Sequence, residues 1–146
     1  MNFSSALEVK KAFEEVYTVI FKTSFLGLPV ANHDLSVRVV GLRETNDFYT
    51  FCLITPWMLN QIAVPKKEDV DVRLVEEMRE DYLEHLGTFY VSNVISPMDK
   101  VRNMERAIRK GEKLADELFA NICDKNINQS QEMSRRDFFR KMSPKN

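Results

Sequence analysis

A chain of 146 residues with a formal net charge of -1 is long enough for one domain with its own core. Its near-neutrality gives no electrostatic case for nucleic acid or an anionic membrane as the main partner. Hydrophobic residues at 44% and charged residues at 29% exclude a disordered or membrane-embedded class. The charge is uneven along the chain. The last fourteen residues set Arg135, Arg136, Arg140, Lys141 and Lys145 against Asp137, about +4, so the remainder carries about -5.

The elements follow in order. Ser5 and Glu8 have capping-box spacing, and Val9, Phe13, Val16, Tyr17 and Ile20 recur at three- and four-residue steps. These predict a helix over residues 5–22. After Gly27 and Pro29, Asn32-His33-Asp34 reads as a turn. Residues 35–44 alternate and are β-branched, a polar turn follows at Thr45-Asn46-Asp47, and Phe48 to Thr55 is again aromatic and branched. That pair predicts an antiparallel hairpin. Thr55-Pro56 then reads as the N-cap and first position of a short helix or turn from Trp57 to Ala63, stopped by Pro65.

Val70, Val72 and Leu74 alternate with charged residues and suggest a third strand. Glu76 to Leu86 fits either a strand extension or a helical turn. Gly87 opens a clear strand to Ser96. Ser96-Pro97 repeats the earlier junction and leads into a long helix. Its seam of Val101, Met104, Ile108, Gly111, Ala115, Leu118 and Ile122 lies across a sheet. Beyond Cys123 the polar residues 124–131 read as a flexible linker. The expected fold class is α+β: about four antiparallel strands packed against N- and C-terminal helices in two layers. Residues 1–123 form the domain and 124–146 a tail.

No run of 18 apolar residues suggests a spanning helix, and no apolar stretch follows a basic start. The protein is therefore expected in the cytoplasm, without membrane insertion. Cys52 and Cys123 stand apart with no C-x-x-C pair, so a zinc ribbon or rubredoxin-like site is excluded, and neither a metal nor another cofactor is expected. Only His33 and His85 are available as tunable bases, neither at metal-ligand spacing, and no phosphate loop or nucleophile elbow is present. A small enzyme with a sheet-edge pocket using His33 or His85 beside a carboxylate is the alternative to a binding protein.

Two stretches carry more information. Thr55-Pro56-Trp57-Met58-Leu59 places the only tryptophan beside two other large apolar residues at a corner. These side chains either plug the end of the core or leave an apolar surface for a partner, because consecutive turn residues point in different directions. Ser96-Pro97-Met98 is a second such corner, and the two together predict one apolar rim. The other stretch is Ser134-Arg135-Arg136-Asp137-Phe138-Phe139-Arg140-Lys141. It matches the twin-arginine export consensus but lacks the apolar stretch that follows such a signal.

Ile54-Thr55-Pro56-Trp57-Met58-Leu59, Ile95-Ser96-Pro97-Met98 and Ala12-Phe13-Glu14-Glu15 together resemble the HybE-type [NiFe]-hydrogenase assembly chaperones, over residues 9 to about 123. Some members also end in a twin-arginine-like segment, which Arg135-Arg136 resembles. The resemblance implies a cytoplasmic, non-enzymatic factor that binds the small-subunit precursor of a hydrogenase, and possibly also the large subunit. It implies that export is delayed until maturation is complete. Some relatives carry a rubredoxin domain, for which this chain has no cysteines. The tail is expected either to compete with a client signal or to engage the client's receptor.

Overall fold

The computed structural model describes residues 3–25, 35–95 and 103–142, with side chains for all of these but 24, 25, 95 and 126–142. Helix α1 spans Ala6–Ile20 and runs into a π-helical turn, Phe21–Phe25. Five strands follow: β1 (Arg38–Glu44), β2 (Phe48–Ile54), β3 (Leu59–Pro65), β4 (Arg79–Leu83) and β5 (Gly87–Ile95). A 3-10 turn at Val72–Val75 precedes β4, and α2 spans Met104–Met142. The strands form one antiparallel sheet in the order β1-β2-β3-β5-β4.

The first helix forms as its sequence predicts. Ser5 Oγ accepts the Glu8 N–H at 3.2 Å, the N-cap bond that satisfies one of the orphan donors. The Glu8 carboxylate reaches one residue further back than a capping box would. It accepts the Ser4 N–H at 3.1 Å and the Ser4 hydroxyl, and these bonds lower its pKa. Val9, Phe13 and Tyr17 are buried against the sheet.

All seven residues of β2 are buried, which explains why it reads as an unbroken apolar run rather than an alternating one. Tyr49, Phe51 and Leu53 face the cluster containing α1. Phe48, Cys52 and Ile54 face the clusters containing α2. The helices therefore cover opposite faces, and the expected two layers are three. The aromatic core of the α1 face centres on Phe13, whose ring meets Phe51 edge-on at 5.0 Å and Phe89 at 5.2 Å.

On the other face α2 approaches the sheet closely because its contact residues are small. A Cβ at Gly111 would lie 2.7 Å from Val40 Cγ2, and one at Gly41 would lie 2.5 Å from the Ala115 Cβ. Gly41 also has φ +65 beside the β1 irregularity between Val40 and Arg43, a conformation that side chains other than glycine resist. The seam at Gly111 and Ala115 thus serves helix-on-sheet packing. Arg43 adds an ion pair to Asp116 at 2.7 Å.

Several expectations are corrected. Leu59–Pro65 is a strand, not a short helix, and Val72–Val75 is a 3-10 turn, not the third strand. The ambiguous stretch supplies β4, giving five strands. The described start of α2 is capped by Asn103, whose Oδ1 accepts the Arg106 N–H at 2.9 Å. The helix start expected at Ser96-Pro97 lies outside the described residues. The backbone of residues 124–131 is helical within α2.

Candidate functional site

The corner Thr55-Pro56-Trp57-Met58 is a hairpin turn joining β2 to β3. Thr55 Oγ1 accepts the N–H groups of Trp57 at 3.3 Å and Met58 at 3.0 Å. The Thr55 N–H donates to the Met58 carbonyl at 3.0 Å. The other end of β2 has the same construction: Thr45 Oγ1 accepts the Phe48 N–H at 2.9 Å, and the Thr45 N–H donates to the Phe48 carbonyl at 2.8 Å. A threonine oxygen taking the N–H groups two and three residues on is also the bond of a helix N-cap. That shared local chemistry is why Thr55-Pro56 reads equally well as the beginning of a helix.

Trp57 is 8% exposed. Its ring stacks on Phe21 at 6.0 Å with an interplanar angle of 12°, and lies 6.4 Å from Tyr17. Ile54 and Leu59 are fully buried, and Thr55 and Pro56 are buried with them. Of the corner residues only Met58 is half-exposed, so the tryptophan plugs the core between α1 and the turn. Asn60 donates to Met58 Sδ at 3.1 Å, while its buried Oδ1 has no hydrogen-bond partner among the described residues. Ile54 pairs with Leu59, and Leu59 with Ile95. The ends of β2 and β5 therefore lie at one end of the sheet, two strand spacings or roughly 10 Å apart. Ser96, Pro97 and Met98, which continue from Ile95, lie outside the described residues.

An apolar opening among the described residues lies elsewhere. A groove of about 670 Å³ runs between α1 and the tip of the β4–β5 hairpin, lined by Ala12, Glu15, Val16, Val19, Ile20, Leu83, Glu84 and His85. Ala12, Val16, Ile20 and Leu83 are the outer layer of the α1-side core, and Val19 is 58% exposed. Only the α1 side of this groove left a signal in the sequence. Ala12, Val16, Val19 and Ile20 form a second apolar stripe beside Val9, Phe13 and Tyr17, so the helix is apolar over more than the ~100° arc one packed face needs.

The histidines separate. His33 lies outside the described residues, whereas His85 is exposed on the groove's lip beside Glu84, with Glu15 across from it on α1. Cys52 is fully buried beneath α2, and burial pushes its thiol up to about 12, the state of a small hydrophobe rather than a nucleophile. Among the described residues no group of three or more His, Cys, Asp or Glu is placed to hold a metal ion, and no helix is long and apolar enough to cross a membrane. The segment Ser134–Arg140, with Arg135, Arg136, Phe138 and Phe139, is helical backbone.

The fold and groove define a small α+β protein with an open apolar surface beside a helix. The family model for the [NiFe]-hydrogenase assembly chaperone HybE matches residues 8–141, and the chain belongs to that family. The match takes in the C-terminal part of α2, beyond the residues that carry the resemblance in the sequence. The solution structure of HybE from Escherichia coli is similar, with TM-score 0.51 and 20% identity over 83% of this chain and 79% of that one. At that identity the likeness speaks for the fold. A comparison with curated proteins gives no match.

Proposed function

We propose that this protein is an assembly chaperone that binds the small-subunit precursor of a [NiFe]-hydrogenase, or its twin-arginine signal peptide, in the cytoplasm and delays export until maturation. The family match carries the reading. The groove between α1 and the β4–β5 hairpin supplies a surface of the right kind: apolar on its floor, open to solvent and built on a helix and a hairpin. Met58, half-exposed at the Thr55–Leu59 corner, and Ser96-Pro97-Met98, which follow Ile95 in the chain, are proposed as a second part of the client surface. Trp57 supports it from below by fixing Phe21 and Tyr17.

One observation favours the enzyme alternative. His85 stands in a groove that also holds Glu15 and Glu84, a possible base with carboxylates near it. The two readings separate by retention of purified small-subunit precursor on the immobilised chain, with and without its signal peptide. Retention of the precursor supports the chaperone. Retention of neither form contradicts it. Loss of retention on removing the signal peptide assigns the contact to that peptide.

A further inference from the structure

The rim of the groove and the C-terminus of the chain have opposite character. The groove has an apolar floor bordered by the exposed carboxylates of Glu15 and Glu84, and no lysine or arginine is among its described lining residues. Ser134–Lys141 carries Phe138 and Phe139 between two pairs of cations, Arg135-Arg136 and Arg140-Lys141, with Asp137 as its one carboxylate. Two aromatic groups suit the apolar floor, and flanking cations suit acidic banks on either side.

We infer that Ser134–Lys141 of one copy docks in the groove of a second copy, so that the chain associates with itself through the surface proposed for the client. The contact lies between copies because of the fold. The groove borders α1 on one face of the sheet, while α2 packs on the other. Lys125 pairs with Glu77 at 3.6 Å, and α2 continues unbroken to Met142. Ser134 is therefore carried about 14 Å beyond Lys125 along the helix axis. It cannot turn around the sheet edge to its own groove without breaking that helix. The contact joins unlike surfaces, a tail and a groove, and closes where two chains exchange tails or several form a ring.

The inference goes beyond client binding and stands or falls separately, because a monomeric chain could still hold a precursor. Sedimentation of the full-length protein over a wide concentration range tests it, using the double variants Glu15→Lys/Glu84→Lys and Arg135→Glu/Arg136→Glu. All four residues are charged, and circular dichroism checks that the variants fold. Wild type is expected to associate, and each double variant to associate about ten-fold more weakly as two attractive pairs become repulsive. An equimolar mixture of the two variants is expected to regain association, since each reversed tail meets a reversed groove. A labelled peptide of residues 133–146 is expected to bind the wild-type chain and to lose about ten-fold in affinity for Glu15→Lys/Glu84→Lys. A chain that stays monomeric while that peptide fails to bind would overturn the inference. So would association indifferent to either reversal.

Discussion

The Glu14 carboxylate accepts the backbone N–H of Val39 at 2.9 Å. It is also paired with Lys10 Nζ at 2.8 Å. β1 is an edge strand, so this bond satisfies a donor that the sheet leaves open and ties α1 to the sheet margin. Glu14→Ala is expected to lower stability by about 1–2 kcal/mol, the range for a hydrogen bond to a charged group at a half-buried position. Urea unfolding checks this as a lower midpoint with an unchanged slope.

Trp57→Ala is expected to cost about 3–5 kcal/mol, because it removes a large buried ring from between Phe21, Tyr17 and the Thr55 turn. Any loss of binding in that variant then follows from a damaged fold. Trp57→Phe keeps the aromatic stack and is expected to retain most of both. Comparing the unfolding midpoint with client affinity for the two variants separates these effects.

Gly111→Ala puts a methyl 2.7 Å from Val40 Cγ2 and 3.4 Å from Ile54 Cδ1. Alanine is the better helix former by about 1 kcal/mol, yet overpacking a close helix-sheet contact costs roughly 1–3 kcal/mol. The net expectation is a less stable protein, seen as a lower unfolding temperature. A gain in stability would mean that α2 lifts off the sheet at no cost.

Most of the fold was legible because its signals are local. The α1 period, the alternating β1 and the dense β2 predicted their elements. The residues 55–65 misled because Thr55 makes the same hydrogen bonds in a turn as at a helix start. Only the long-range pairing of Leu59 with both Ile54 and Ile95 decides in favour of a strand. β4 was ambiguous because an edge strand of Arg79, Glu80 and Asp81 has little apolar pattern to read. The site was less legible. Trp57 looked like a surface residue only while Phe21 and Tyr17, some 40 residues away in sequence, were not known to cover it. The groove depends on where the hairpin tip at Leu83–His85 comes to lie, which no local pattern encodes.

Burial also sets a pH dependence. The buried Cys52 thiol titrates at about 12 instead of 9.0, and the Tyr17 hydroxyl at about 12 instead of 10.0 through burial and then the nearby Asp81 charge. Unfolding lets both release their protons earlier, so the folded state binds more protons across this window. Their contribution is full below pH 9.0 and is lost as pH rises through about 12. Denaturant midpoints should therefore fall steadily above pH 9.0. Below that pH a thiol reagent should modify the half-exposed Cys123 in the folded protein and reach Cys52 only on unfolding.

The proposed client site is the groove between α1 and the β4–β5 hairpin. Its most direct test is the affinity of purified small-subunit precursor for wild type, Val19→Lys and His85→Ala. Val19 is 58% exposed on a helix, so lysine there places a charge in the apolar groove with little effect on folding. Val19→Lys is expected to bind at least about ten-fold more weakly, about 1.4 kcal/mol or more, with His85→Ala close to wild type. Equal binding by wild type and Val19→Lys would contradict it.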